Sequence, residues 1–220
     1  MATFVLVPGG WHGGWYFQSL ADRLRQHGHR AYPVTLTGIG ERNHLPGANL
    51  DTHIEDVVGL LDRERIDDAV LCGHSYAGMV ISGVADQVAS RVTALVYSDA
   101  YVPADGESCW DLTTDAFRQL VLDGAHADGH GVAPPPGLDP RASSHPLASL
   151  VQAVRLTGAW ETVGRKHYVY LSGWRGSPFP GVYRRLRDDP GWRTHELPVG
   201  HNVMADAADA LFDILLHAAA

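Results

Sequence analysis

The stretch DDAVLCGHSYAGMVISGVA (67–85) places a polar serine between two apolar runs. The first run, 68–72, has the length and the continuous apolar character of a strand buried on both faces. The second run, from about 76 to 89, is long enough for a helix. Ser75 therefore stands at a sharp strand-to-helix turn, and Gly73 and Ala77 are small enough to let the two elements pass closely. This context predicts a nucleophile elbow. The alternative is a serine in a glycine-rich turn that binds a phosphate or nothing.

Strand-length apolar runs alternate with helical patterns along most of the chain. The other strand candidates are 4–8, 31–36, 93–98, 167–172 and 193–197. A helix is predicted over 52–61, with Thr52 and Glu55 as a capping box. Another is predicted over 16–26 and ends at Gly28. The alternation predicts an α/β fold with a mostly parallel sheet of about six strands and helices on both faces.

Residues 102–163 interrupt this alternation. Two helical pieces, about 111–123 and 146–156, flank the segment GAHADGHGVAPPPGLDP (124–140), and no strand is apparent there. We interpret the segment as a small helical lid inserted into a single domain that spans 1–220. Four side chains could be imagined as metal ligands: Asp123, His126, Asp128 and His130. Their irregular spacing in a glycine-rich loop favours a solvated loop, so no metal site is predicted.

Composition restricts the class of protein. The chain has 220 residues, 45% of them hydrophobic, which suffices for one core. A formal net charge of −8 argues against nucleic-acid or anionic-membrane partners. The apolar runs are too short to span a membrane, and the N-terminus lacks a signal-peptide pattern, so a cytoplasmic location is expected. Two cysteines make a disulfide framework improbable. Monomer and homodimer both stay open.

A serine nucleophile needs a base and an acid. His201 in ELPVGHN (196–202) follows the last strand, at the sheet edge where the loops converge, and is the predicted base. His195 lies inside a strand, His217 lies in the terminal helix, and the sharp turn is expected to direct His74 elsewhere.

The acid must orient the imidazole. No Asp or Glu occurs from 162 to 187, after the penultimate strand, so we predict Asp99, at the end of the preceding strand. Asp105 and Glu107 are the reserve candidates. The alternative role for Asp99 is to cap the following turn.

Two backbone amides should stabilise the oxyanion. Tyr76 follows the nucleophile, and Gly10 lies in the glycine-rich loop PGGWHGGW (8–15). Both are predicted to form the oxyanion hole. The loop lacks the GxxxxGK[ST] phosphate-binding pattern, and GIG (38–40) lacks the third glycine of a dinucleotide-binding fingerprint.

Six segments together resemble the α/β-hydrolase superfamily, and within it the bacterial relatives of plant methylesterases and hydroxynitrile lyases. They are VLVPGGWHGGWYF (5–17), TLTGIGERNHL (35–45), LDTHIEDVV (50–58), VLCGHSYAGMVI (70–81), LVYSDAYVP (95–103) and ELPVGHNVM (196–204). The resemblance implies a small lidded esterase without metal or organic cofactor. It also implies Ser75 as nucleophile, His201 as base, and the amides of Gly10 and Tyr76 as oxyanion hole.

The sequence departs from these relatives at several positions. Pro8 stands where many relatives have His before the oxyanion loop, and the acid after the penultimate strand is missing. Lyase relatives carry Lys behind the catalytic His and Thr in the oxyanion loop, where this chain has Asn202 and Gly9. Cyanohydrin chemistry is therefore disfavoured.

The predicted substrate is a small ester, lactone or thioester with a bulky, aromatic or apolar group, cleaved through an acyl-enzyme. Six aromatic residues are candidates for lining the pocket: Trp11, Tyr101, Trp110, Phe117, Trp160 and Trp174. Each could equally fill core between lid and sheet. The alternatives are a non-hydrolytic enzyme, either a lyase or a polyketide-tailoring enzyme, and a ligand-binding receptor on the same fold.

Overall fold

Six parallel strands form the central sheet of the computed structural model, which describes residues 1–45 and 47–220. Within those residues the strands of the central sheet are β1 (Thr3–Val7), β2 (Arg30–Pro33), β3 (Ala69–His74), β4 (Val92–Ser98), β7 (Lys166–Leu171) and β8 (Trp192–Leu197). Two further short strands are β5 (Gly131–Val132) and β6 (His145–Pro146). The sheet order is β2-β1-β3-β4-β7-β8, and β5 and β6 form a separate antiparallel pair. The prediction of a parallel sheet of about six strands is confirmed.

Helices connect these strands. They are α1 (Gln18–Gln26), α2 (Leu50–Glu64), α3 (Ala77–Gln87), α4 (Cys109–Leu112), α5 (Asp115–Ala125), α6 (Leu147–Val151), α7 (Pro180–Arg187), α8 (Val203–Asp206) and α9 (Ala208–Ala219). Short 3-10 turns occur at Gly14–Phe17, Gly40–Arg42, Ala89–Arg91 and Ala159–Thr162. Nowhere in residues 1–45 and 47–220 does a helix combine the length and the apolar character needed to cross a membrane.

Alternate strand residues build two cores, one on each face of the sheet. On one face, Val5 and Leu71 pack with α2 and α3. On the other face, Phe4 and Val70 pack with α1 and α9. Burial of both strand faces explains why the strand segments are continuously apolar.

Two helix boundaries differ from the predictions. α2 begins at Leu50, because the Asn49 side chain accepts a 2.9 Å hydrogen bond from the Thr52 amide and Leu50 is fully buried. The capping box is therefore Asn49–Thr52, and the predicted Thr52–Glu55 pair is wrong. The helix predicted over 16–26 starts as a 3-10 turn, and its predicted end holds, with Gly28 at φ 82° just beyond it.

The segment between β4 and β7 is more broken than predicted. The predicted helix 111–123 is two helices, because Ser108 caps α4 and Thr114 caps α5. The predicted helix 146–156 ends at Val151. The expectation of no strand is wrong, since β5 and β6 pair through Val132 and His145. Strands of two residues are too short to produce an alternating pattern in the sequence.

Candidate active site

Ser75 occupies a strained turn at the carboxyl end of β3. Its φ of 55° lies in the left-handed region, which non-glycine residues adopt at a cost of about 1–3 kcal/mol. Small neighbours are required: a Cβ on Gly73 would lie 2.8 Å from the Ala77 carbonyl oxygen. The Ser75 amide donates to the Ser98 carbonyl (3.2 Å), which fastens the turn to β4. The side chain is partly exposed, as a nucleophile requires.

The register between β3 and β4 places Asp99 beside this turn. His74 pairs with Ser98 in adjacent parallel strands, so the next residues, Ser75 and Asp99, leave the sheet side by side. Asp99 also has a positive φ, 44°, and its side chain is fully buried. Its Oδ1 accepts a hydrogen bond from the Leu171 amide (3.2 Å), so β7 helps to hold the carboxylate.

His201 meets the other carboxylate oxygen. Its Nδ1 lies 2.7 Å from Asp99 Oδ2. A carboxylate that accepts the Nδ1 proton leaves Nε2 free to take a proton from elsewhere. Within the described residues, the contact with Asp99 is the only hydrogen bond of the His201 ring, so Nε2 of His201 has no hydrogen-bond partner among them. Catalytic hydrogen bonds to a serine are often long without substrate and tighten when it binds.

Burial shifts both partners toward their neutral forms. It raises the pKa of Asp99 to about 7, partly offset by the Leu171 amide. It lowers the pKa of His201 to about 3, with a smaller contribution from His12 in the same direction. An imidazole whose pKa is lowered is neutral at pH 7, which is the form that a general base must have.

The two reserve candidates for the acid, Asp105 and Glu107, form hydrogen bonds away from His201. Asp105 accepts a hydrogen bond from the Leu156 amide (2.8 Å), and Glu107 accepts one from the Ala104 amide (2.8 Å). Both therefore stabilise the local backbone, and Asp99 is the carboxylate that the structure brings to His201.

Aromatic rings surround the imidazole of His201. Trp174 stacks on it with ring centroids 4.0 Å apart, and the His74 ring lies 4.5 Å away. His74 Nε2–H donates to the His201 carbonyl (2.9 Å). The expectation that the turn directs His74 elsewhere is wrong, because this side chain reaches across from the end of β3 to the His201 loop.

The two predicted oxyanion amides face no protein acceptor. Within the described residues, neither the Gly10 nor the Tyr76 amide donates a backbone or side-chain hydrogen bond. Gly9 brings the loop against Ser75, since a Cβ there would lie 2.9 Å from Ser75 Cβ. Two unpaired amides beside a strained serine can stabilise a negative oxygen.

The predicted pocket aromatics separate into groups. Trp174 contacts His201, and Trp11 packs against Phe117 with centroids 6.0 Å apart. The Tyr101 amide donates to the Ser75 carbonyl (3.2 Å), while its hydroxyl donates to Thr113. Trp110 is partly exposed, and the guanidinium of Arg118 lies over its ring.

Trp160 lies elsewhere, and its assignment to the pocket is contradicted. Its ring packs on Trp192, the first residue of β8, and its amide donates to Asp86 at the end of α3. Both neighbours belong to the amino end of the sheet, opposite Ser75. The 3-10 turn Ala159–Thr162 packs against that end of α3, which removes Trp160 from the loops above the carboxyl end.

Several contacts at the site could not be derived from sequence. Phe179 lies 6.1 Å from the His201 ring and packs on Trp174, and His145 accepts a hydrogen bond from the Trp11 amide. Phe179 and His145 come from segments with no recognisable pattern, so no local signal marks them.

Metal donors do not converge within residues 1–45 and 47–220, where no group of three or more His, Cys, Asp or Glu side chains could hold an ion. Asp128 Oδ1 instead accepts the amides of His130 (2.7 Å) and Gly131 (2.9 Å), and so shapes its own turn.

The fold and this site define a class. The chain belongs to the alpha/beta hydrolase family, whose model matches residues 4–214. A carbendazim hydrolyzing esterase of Nocardioides sp. (strain SG-4G) is 39% identical over an alignment of 238 positions, which covers 98% of this chain and 98% of that protein. Methylesterase 10 of Arabidopsis thaliana is 31% identical over 123 residues, covering 53% of this chain and 44% of that protein.

The solved structures share the fold. An extracellular alpha/beta-hydrolase from a Paenibacillus species superposes with a TM-score of 0.85 over 99% of both chains, at 22% identity. Its description reports structural and functional homology to tobacco salicylic acid binding protein 2. The resemblance that the sequence motifs carried, both to the superfamily and to the methylesterase and hydroxynitrile lyase group, is confirmed.

Proposed function

We propose that this α/β hydrolase cleaves carboxylic esters with Ser75 as nucleophile, His201 as general base and Asp99 as the acid. The observation that carries the proposal is the 2.7 Å contact between His201 Nδ1 and Asp99 Oδ2, made by residues that flank the strained Ser75 turn. An esterase relative that is 39% identical across the whole chain supports ester hydrolysis as the reaction.

The reaction proceeds in two halves. His201 Nε2 takes the proton of Ser75 Oγ as the oxygen attacks the ester carbonyl, and the amides of Gly10 and Tyr76 bind the oxyanion. Asp99 stabilises the imidazolium. The imidazolium then protonates the leaving alkoxide, and an acyl ester remains on Ser75. Water, deprotonated by His201, attacks this ester, releases the acid and restores Ser75.

The substrate class follows from the rings at the site. Trp174 and Phe179 lie against His201, and Trp11 and Phe117 pack together next to the Gly10 loop. Flat apolar walls favour an ester with an aromatic or bulky group. Carbendazim and methyl esters are therefore the first compounds to test, since one relative is named a carbendazim hydrolyzing esterase and another a methylesterase.

The segment 102–163 is proposed to be the lid of a single domain. Its β5–β6 pair contacts the Gly10–Trp11 loop, which supports a position over the carboxyl end of the sheet. A cytoplasmic location stays a prediction from sequence, and monomer and homodimer both stay open.

Two other functions use the same pocket. A lyase is disfavoured, because Asn202 and Gly9 occupy the positions where lyase relatives carry Lys and Thr. A receptor would bind a ligand beside Ser75 with little turnover. Turnover of simple activated esters separates the enzyme from the receptor.

The test is intact-mass analysis after exposure to a reactive aryl phosphonate. We expect the wild type to gain one phosphonyl group and Ser75→Ala to gain none. Ser90→Ala, which changes an exposed serine, should label like the wild type. A labelled Ser75→Ala would place the nucleophile elsewhere, and an unlabelled wild type that turns over no activated ester would favour the receptor.

A further inference from the structure

Trp11, directly after Gly10, has a backbone conformation that its neighbours impose. Its φ of 67° is left-handed, which is rare for a bulky residue, and the side chain is buried. Three hydrogen bonds hold it. Its amide donates to His145 Nδ1 (3.3 Å), its indole Nε1 donates to the Val132 carbonyl (2.9 Å), and its carbonyl accepts from the Ser143 amide (3.0 Å). All three partners belong to the β5–β6 pair or its connection.

His145 has one defined tautomer. Because Nδ1 accepts from the Trp11 amide, Nε2 carries the proton and donates to Ser149 Oγ (2.9 Å). The Ser149 hydroxyl in turn donates to the Pro146 carbonyl (2.8 Å). Burial lowers the pKa of His145 well below its ordinary value, so the ring is neutral and Nδ1 keeps its lone pair. The imidazole is thus an acceptor for one backbone amide.

The His145 imidazole lies beside both residues proposed for the oxyanion hole, Gly10 and Tyr76. A Cβ on Gly10 would lie 3.8 Å from His145 Nδ1. The Tyr76 ring meets the imidazole edge-on at a centroid distance of 4.7 Å. The hydroxyl end of the Tyr76 side chain is also held, because it donates to His53 Nδ1 (2.8 Å). His53 Nε2–H in turn donates to the Thr37 carbonyl.

We propose that His145 is a positioning residue that orients the Gly10 amide toward the reacting oxygen. It acts through Trp11: by accepting the Trp11 amide it stabilises the left-handed turn and fixes the Gly10–Trp11 peptide, and with it the Gly10 Cα to which the Gly10 amide nitrogen is bonded. The inference rests on the proposed function, because it requires the Gly10 amide to bind an oxyanion. The lid segment would then supply part of the catalytic scaffold as well as cover the site.

The test compares two aryl ketones that differ only in the replacement of a methyl group by a trifluoromethyl group. An aryl trifluoromethyl ketone adds Ser75 and forms an oxyanion, whereas the matching aryl methyl ketone stays a neutral carbonyl. In His145→Leu the Trp11 amide loses its acceptor, so we expect the trifluoromethyl ketone to bind about tenfold or more weakly. Binding of the methyl ketone should stay within about twofold of wild type.

His145→Asn is the rescue variant, because its Oδ1 stands as far from Cβ as Nδ1 does and can accept the Trp11 amide. We expect it to bind the trifluoromethyl ketone within about threefold of wild type. Ser149→Ala removes the Nε2 partner and the bond to the Pro146 carbonyl but leaves Nδ1 of His145 in place, and it should behave likewise. Should His145→Leu not fold, His145→Gln replaces it, since its longer side chain directs the oxygen toward Ser149.

The inference would be overturned if His145→Leu bound both ketones more weakly by the same factor. It would also be overturned if His145→Asn bound the trifluoromethyl ketone as weakly as His145→Leu does. Either result would assign His145 to packing. Ser75→Ala separates this failure from that of the proposed function. If Ser75→Ala binds the trifluoromethyl ketone like the wild type, no hemiketal forms and the proposed function fails. If Ser75→Ala loses that binding while His145→Leu keeps it, only the role of His145 fails.

Discussion

Asp99 meets His201 from a part of the chain other than the usual position of a triad acid. Between 162 and 187 the sequence has no carboxylate, so the chain after β7, the usual position of the acid, offers none. The strand next to Ser75 ends one residue before Asp99, and the left-handed φ of Asp99 accompanies its side chain's contact with His201. Asp99, after β4, therefore lies one strand of the sheet closer to Ser75 than the usual position after β7 does.

Replacing Asp99 with asparagine tests its role. Asn cannot impose the Nδ1–H tautomer or stabilise the imidazolium, so we expect kcat to fall by about 10⁴-fold while the fold is kept. The measurement is kcat for an activated aryl ester. Asp105→Asn is the control and should retain wild-type kcat, because Asp105 bonds the Leu156 amide instead. Equal losses in both variants would contradict the assignment.

The pH dependence of kcat/KM reports the base. Burial lowers the pKa of His201 below its ordinary 6.5, so the imidazole stays unprotonated as the pH falls through that value. The Asp99 carboxylate, whose pKa burial raises to about 7, takes up the first proton of the pair, so we expect kcat/KM to decline as the pH falls through about 7. A rate profile on an activated ester measures the acidic limb. A profile that stays flat well below pH 7 would mean that Asp99 remains ionised beside His201, against the effect of its burial.

The elements at the site depend on close backbone contact between α3 and the chain after β4. A Cβ on Gly78 would lie 2.0 Å from the Tyr101 carbonyl oxygen, and the Tyr101 amide donates to the Ser75 carbonyl. The first turn of α3, the nucleophile turn and the chain after Asp99 therefore form one packed unit. The β5–β6 pair adds the Gly10 loop to it through Trp11.

Gly78→Ala should disrupt this unit. The added methyl group meets a backbone atom that cannot rotate away, so we expect the free energy of unfolding to fall by about 1–3 kcal/mol and ester turnover to drop. Urea denaturation gives the first quantity. Gly181→Ala is the matched control, since Gly181 is also helical but a Cβ there meets nothing within 4 Å. Similar destabilisation of the two variants would argue against the contact.

The whole molecule is stabilised by apolar burial on both faces of the sheet. Leu71 in β3 is fully buried in the cluster beneath α2 and α3, whereas the Leu122 side chain is 55% exposed. Central strands therefore carry the stability, and the sheet supports the turn that holds Ser75.

Leu71→Ala should lower the free energy of unfolding by about 2–5 kcal/mol, because a cavity remains next to β3. Leu122→Ala, with the same chemical change on an exposed side chain, should shift it by less than about 0.5 kcal/mol. Chemical denaturation monitored by tryptophan fluorescence measures both. A loss of similar size in the two variants would contradict the burial pattern.

The strand order along the chain and the turn at Ser75 could be predicted because their causes are local. Buried strands must be continuously apolar, and a strand-to-helix turn needs small residues at Gly73 and Ala77. The placement of Asp99 and His201 followed from one further rule, that loops after parallel strands meet at one edge. Their contact is in the structure, and their catalytic roles are proposals.

Tertiary structure alone decided which distant side chains meet. His145 accepts the Trp11 amide across 134 residues, and His74 reaches the His201 carbonyl across 127. Trp160 was misassigned for the same reason, since nothing within its own segment shows that it packs at the far end of α3. Apolar periodicity and turn chemistry act over a few residues and are readable in order along the chain. Partners brought together by folding leave no such trace, because either residue would be ordinary in its own segment.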